Sequence, residues 1–217
     1  MFIEHEEISR FIIHRMALYH STLKLMQEEG ITICISNELG RRTGLPSHQI
    51  RKDLAYFGEF GTKGVGYQID YLLLRIEKIL GYDTVWNAVL VGLNIPVLPI
   101  MSYSHFCPSA VEILEVIDLN NKNHGTVCDL GLPVAAIDSI KDSITSKKIT
   151  IGIIAVPPSY AQKTANQLIQ AGVKGIVNFS TCPIFGPEHI AITQISIASW
   201  FSQLTFALKQ GLEKDSC

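Results

Sequence analysis

Ser47-His48-Gln49-Ile50-Arg51-Lys52-Asp53-Leu54-Ala55-Tyr56-Phe57, running on into Gly58-Glu59-Phe60-Gly61-Thr62-Lys63-Gly64-Val65-Gly66, is the stretch on which the fold turns. Ile50, Leu54 and Phe57 stand at i, i+4 and i+7, so a helix over 47–57 places them on one face. His48, Gln49, Arg51, Lys52, Ala55 and Tyr56 then point away from that face. The four glycines that follow punctuate a short hairpin-like stretch carrying Lys63.

Upstream, Thr43-Gly44-Leu45-Pro46 reads as a turn, and Ser36 as the cap of a short helix running through Arg42. Ile8, Phe11, Ile12, Leu18, Tyr19, Leu23 and Met26 recur at helical spacing before Gly30, a residue suited to a left-handed cap. Downstream, Asp70 opens a fourth helix that ends at Gly81. Helices, turn and glycine-rich hairpin together predict a winged helix-turn-helix domain over residues 1–81.

The charge of this region suits a polyanion. The 217-residue chain carries a net charge of -2, which excludes a uniformly basic coat, yet all six arginines lie within the first 75 residues. Arg41, Arg42, Arg51 and Lys52 follow one another with no carboxylate in between. A helix docked by its apolar face leaves the opposite face for the major groove, where Arg and Gln read base edges. On this reading Ser47, His48, Gln49, Arg51, Lys52, Ala55 and Tyr56 face double-stranded DNA, with Ser47 and the helix N-terminus suited to a phosphate. Lys63 and Gly64 reach the backbone or minor groove from the wing, and Arg41, Arg42 and Phe60 position or support the others. The competing reading is a helical cap whose cations are merely solvated.

From Val85 the pattern changes to short β-branched runs at 85–91, 113–117, 149–156 and 173–177, with a last strand near 190–197. A helical stretch over 158–171 separates two of them, as a parallel sheet built from strand-helix-strand units requires. The final segment, 199–210, carries Trp200, Phe201, Leu204, Ala207 and Leu208 as an apolar stripe. Hydrophobic residues at 47% and charged residues at 18% supply ample core and argue against disorder.

Several chemistries have little support. Ser159, Cys182 and the seven histidines show no spacing that links nucleophile, base and orienter, so an enzyme is not expected. His105 and Cys107 form a lone pair without a second pair, so no metal site is expected. The five cysteines include no C-x-x-C pair, which fits reduced thiols. The uncharged run between Asp83 and Glu112 is broken by Asn87, Asn94 and three prolines, against a membrane span, and Glu4, Glu6 and Glu7 argue against export. A cytoplasmic location is expected.

Residues 49–61, followed by Lys63-Gly64-Val65-Gly66-Tyr67, closely resemble the winged-helix signature of the Rex family of redox-sensing transcriptional repressors. Ala155-Val156-Pro157, Ala161-Gln162, the run from Ala171 to Ile176, and Asn178-Phe179 resemble that family's second domain, so the likeness spans nearly the whole chain. The resemblance implies an α/β protein: an N-terminal winged helix, then a Rossmann-like parallel-sheet domain over 82–217 with a C-terminal dimerisation helix. It further implies operator binding as a homodimer, NAD(H) in the second domain, and a last helix that crosses to the partner. Tyr103 and Phe106 fall where the family has an aromatic pair near the nicotinamide.

Gly92, Leu93, Asn94, Ile95, Tyr103, Asp118, Val156 and Pro157 are the cofactor-binding candidates, Asp118 as acceptor for a ribose hydroxyl. A dinucleotide fingerprint needs three glycines, and this chain keeps only the first. Asn94 stands at the second glycine and Val97 at the third, while Ser196 replaces the family's signal-relaying aspartate. A repressor with lost or altered NAD(H) binding is therefore expected, in which the sheet serves as a dimer scaffold. The alternatives are a fully NADH-responsive sensor and a small NAD- or CoA-binding enzyme with an accessory domain.

Overall fold

A computed structural model describes residues 8–62, 64–93 and 110–215, with side chains to 211. The chain divides into two compact units between Thr84 and Val85.

In the first unit, α1 (Arg10–Glu28), α2 (Ser36–Thr43), α3 (Ser47–Phe57) and α4 (Ile69–Leu80) enclose one core. Met16, Tyr19, Leu23 and Met26 of α1 recur at three- and four-residue steps and are fully buried. They meet Leu39 of α2, Ile50 and Leu54 of α3, and Ile69, Leu72 and Ile76 of α4. Gly40 lets α2 approach the turn into α3, because a Cβ there would stand 2.6 Å from the Leu45 carbonyl oxygen. No larger residue fits this corner.

Two local expectations change. Ser36 lies inside α2 rather than capping it; the cap is Ile35, in extended conformation and with no side-chain hydrogen bond. The glycine-rich stretch does form a tight turn, in which the Thr62 amide donates to the Gly66 carbonyl at 3.0 Å and the Gly66 amide donates back at 3.0 Å. The strand after it, β2 (Tyr67–Gln68), pairs instead with β1 (Ile33–Cys34), antiparallel and with Cys34 opposite Tyr67. Two-residue strands carry no periodicity, so β1 leaves no signal in the sequence.

The second unit is a six-stranded parallel sheet of order β5-β4-β3-β6-β7-β8. Its strands are β3 (Trp86–Val91), β4 (Val111–Asp118), β5 (Val134–Ala136), β6 (Ile151–Ile154), β7 (Gly175–Asn178) and β8 (Ala191–Gln194). Strand order runs outward in opposite directions from the β3/β6 pair, to β4 and β5 on one side and to β7 and β8 on the other, the doubly wound order of dinucleotide-binding folds. Both faces are buried, as parallel sheets demand: Val89, Val91, Ile117 and Ile154 pack on one side, Ala88, Leu90, Val116 and Ile153 on the other. α5 (Ile140–Ser146) and α6 (Pro158–Ala171) cover the first side through Ile140, Ile144, Ala161, Ala165 and Leu168. β5 and α5 are too short to show in the residue pattern. The last strand ends at Gln194, and α7 (Ile197–Asp215) begins two residues before the expected start.

Candidate nucleic-acid interface and nucleotide cleft

α3 presents the outward row that its spacing predicts. His48, Arg51, Lys52, Ala55 and Tyr56 are exposed, and Ser47 is half-buried at the first position of the helix. The Tyr56 ring meets Phe57 edge-on with centroids 5.2 Å apart. Arg51 Nη1 donates to Ser36 Oγ at 2.9 Å, so the hydroxyl expected to cap α2 instead holds the Arg51 guanidinium beside the cleft between α3 and the wing. Gly64 is exposed at the wing tip; Lys63 lies outside the described residues.

The three residues expected to position or support the others are engaged within the N-terminal unit. Arg41 is paired at two points with Glu38, at 2.7 and 3.0 Å. Arg42 meets both Glu38 at 2.8 Å and Glu29 at 2.7 and 2.8 Å. Donation from Arg41 and then Arg42 holds the Glu38 carboxyl down at about 2. The chain's uninterrupted cationic run is thus matched in space by carboxylates from α1 and from α2 itself. Arg51 and Lys52 are left as the cations of the exposed α3 face. Phe60 is only 5% exposed and belongs to the core, where the Arg75 guanidinium lies 5.5 Å from its ring centroid. It supports the wing from below.

Gln49 is half-buried rather than turned fully outward, and its Nε2 donates to Asp53 Oδ1 at 2.8 Å. Asp53 is not among the expected site residues. Its signal is nonetheless present: position 53 lies on the inner stripe with 50, 54 and 57, and a carboxylate there requires partners. Arg15 and Tyr19 of α1 supply them, at 2.6 to 2.7 Å.

In the sheet unit, the carboxyl ends of β3 and β6 mark the point where strand order reverses, the usual place for a ligand crevice. Gly92 makes the turn after β3 with φ +100°, and a Cβ would lie 2.5 Å from the Ala155 carbonyl oxygen. This first glycine is required by the backbone. Leu93 is half-buried against the core; Asn94, Ile95 and Tyr103 lie outside the described residues. Val156 is fully buried, so its side chain serves the core, and Pro157 stands immediately before α6.

Asp118 ends β4, as a ribose-binding carboxylate should, but it is fully buried and each of its oxygens accepts one bond from its own chain. Oδ1 accepts from the Leu119 amide at 2.8 Å, Oδ2 accepts from Asn123 Nδ2, and His124 Nε2 sits 2.9 Å from the Asp118 carbonyl oxygen. A carboxylate in this state closes a turn instead of offering an acceptor to a ligand. The strand order and the Gly92 turn fit the general cleft of such folds, while Asp118 at this edge is turned into the protein. Ser196, at the family's aspartate position, caps α7: its Oγ accepts from the Ser199 amide at 3.3 Å.

Comparison with known proteins accounts for both units. Residues 7–55 match a family model described as "Putative DNA-binding protein N-terminus", and residues 83–182 match one described as "CoA binding domain". A redox-sensing transcriptional repressor Rex of Carboxydothermus hydrogenoformans is 35% identical over 94% of this chain and 98% of its own. That of Chloroflexus aggregans is 36% identical over 91% and 92%. The chain belongs to the Rex family.

Among solved structures, the Rex-family repressor RSP superposes with a TM-score of 0.85 at 28% identity, covering 97% of this chain and 99% of that one. RSP has also been solved with NADH, and with NAD+ and operator DNA. The α/β architecture with an N-terminal DNA-binding domain is that of Rex, and the relatives are repressors rather than enzymes. Among the described residues no helix is long and apolar enough to cross a membrane.

Proposed function

We propose that this Rex-family chain is a cytoplasmic, homodimeric repressor that reads duplex DNA with the outer face of α3 and has lost or weakened NAD(H) binding. The observation that supports the second part is the burial of the Asp118 carboxylate, each oxygen of which accepts one bond, from Leu119 and from Asn123. Asn94 and Val97 in place of fingerprint glycines agree with it. The first part rests on the exposed Arg51, Lys52 and Tyr56 row and on the operator complex of RSP.

Dimerisation is supported by α7. Ile197, Trp200, Phe201, Leu204, Phe206 and Leu208 are each at least 54% exposed within one chain, which is the wrong surface for a helix to show water. A second copy of this chain is the occupant we assign to that stripe, and residues 82–217 then act as the dimer scaffold for DNA-binding units over residues 1–81.

A fully NADH-responsive sensor is the second reading, favoured by the Gly92 turn at the strand-order reversal and by the NADH complex of RSP. Isothermal titration of the purified protein with NADH and NAD+ separates the two. The altered-cleft reading expects no binding tighter than about 100 μM, a free energy of roughly 5.5 kcal/mol. Micromolar or tighter binding of either nucleotide overturns it.

A further inference from the structure

Gln49, half-buried in the first turn of α3, has a side-chain amide of fixed polarity. Asp53 is 1% exposed, and its carboxylate receives four donors: Arg15 Nε at 2.6 Å and Tyr19 Oη at 2.7 Å on Oδ2, Arg15 Nη2 at 2.7 Å and Gln49 Nε2 at 2.8 Å on Oδ1. Two donors on each oxygen fill its acceptor capacity. Burial alone pushes this carboxyl up, but donation from Arg15, Tyr19 and Gln49 outweighs it and holds the group below the usual range, so it is an acceptor only.

An ionised carboxylate cannot donate to an amide oxygen. Gln49, one turn earlier on the same helix, must therefore give one Nε2 hydrogen to Asp53, which leaves Oε1 for another donor. An unconstrained glutamine presents either end of its amide to a base; this one cannot flip, and it has left Oε1 and the second Nε2 hydrogen beside it. A carbonyl oxygen facing the groove recognises a hydrogen-bond donor, and the major-groove donors are the exocyclic amines of adenine and cytosine.

We infer that Gln49 reads an exocyclic base amine through Oε1, and that Asp53, clamped by Arg15 and Tyr19, is the positioning residue that sets this preference. The inference rests on the reading that α3 enters the major groove. It adds which end of which side chain makes the discrimination, and which buried group dictates it.

The experiment begins with selection of duplexes from a random library by the full-length protein and by Gln49→Met, an apolar chain of similar length. One base position should lose its preference in the variant. At that position the adenine is then replaced by purine, or the cytosine by 2-pyrimidinone, each lacking only the amine. The wild-type protein should lose about fivefold to tenfold in affinity, the worth of roughly one hydrogen bond, while Gln49→Met loses nothing further. Replacing an adenine there by its 7-deaza form, which removes only the acceptor for the second Nε2 hydrogen, should cost the wild type less than deleting the amine.

Equal loss by both proteins on deleting the amine, or no position altered by Gln49→Met, overturns the inference while leaving the groove reading intact. Failure of the wild type to select any duplex overturns the groove reading instead. Asp53→Asn, whose amide can donate to Gln49 Oε1, should abolish the amine dependence while binding to random duplex at low salt persists. An amine dependence undiminished in a folded Asp53→Asn protein overturns the positioning role. Should that variant fail to fold, the footprint of Gln49 in the wild-type selection decides it: a preference that survives deletion of the amine and is lost with the 7-deaza purine leaves Oε1 unused and overturns the inference.

Discussion

Arg15 of α1 and Asp53 of α3 form a two-point ion pair, Nε to Oδ2 at 2.6 Å and Nη2 to Oδ1 at 2.7 Å, with the aspartate buried and the arginine side chain 23% exposed. The asymmetry of exposure matters. Losing the arginine strands a charge inside the domain, whereas losing the aspartate frees a guanidinium that can turn to water. The pair also ties α3 to α1 at a defined rotation.

Arg15→Met is accordingly expected to destabilise the N-terminal unit by about 3 kcal/mol, the lower end for breaking a buried pair, and Asp53→Ala by less. Urea unfolding of the full chain, followed by hydrogen exchange at the α1 and α3 amides, measures both. An Asp53→Ala cost larger than that of Arg15→Met contradicts the asymmetry.

The same pair sets an acid response. Asp53 has a lowered native value, so its contribution is fully present above the unfolded carboxylate value of about 4 and is lost as pH falls through the lower native one. Wild-type protection at α1 and α3 should fall steeply below about pH 4, and Asp53→Asn should show a shallower slope there from a lower neutral plateau. Parallel acid limbs for the two proteins would count against this assignment.

Arg51 is held by Ser36 Oγ at 2.9 Å on the exposed face of α3. Arg51→Ala should cost about 1 to 3 kcal/mol on the selected duplex and relax one base pair. Ser36→Ala should give a smaller loss of the same kind. Electrophoretic titration at fixed salt checks both, and equal losses on selected and random duplex would reduce Arg51 to a phosphate contact.

Gly92 combines φ +100° with a Cβ path blocked 2.5 Å away by the Ala155 carbonyl oxygen, whereas Gly131, at φ +73°, has nothing within 4 Å. Gly92→Ala should lower stability by at least about 2 kcal/mol and Gly131→Ala by about 1 kcal/mol, since only the first adds a clash to the strain. Thermal melts of the two variants provide the comparison.

Leu204 is 54% exposed in the α7 stripe. If that stripe is the dimer contact, Leu204→Asp should weaken self-association by roughly a hundredfold, from lost burial and an unpaired charge. Sedimentation equilibrium reads this directly, and an unchanged mass would remove the helix from the contact.

Much of the framework is legible in the order of residues. The span of α3, the turn preceding it and the helix ending at Gly81 follow from apolar spacing and from residues that tolerate left-handed backbone. The sheet strands follow from β-branched runs. Less legible are β1, β5 and α5, which are too short to show a period, and the partners of Arg41 and Arg42, which include Glu29, thirteen residues from Arg42.

What the chain order determined by itself is everything set by neighbours within a turn of helix or a pleat of strand: where elements start and stop, which face is apolar, and that the nucleotide fingerprint lacks glycines. Only the tertiary structure decided what the polar groups do. Gln49 is free as far as its neighbours in the chain dictate, yet Asp53 is filled from α1, 38 and 34 residues away, and fixes its amide; Asp118 is likewise closed by burial and by Asn123. The physical reason is that apolar contact is satisfied by any neighbour of suitable size. A buried donor or acceptor instead demands one partner at about 2.8 Å, and that distance exists only once the segments have come together.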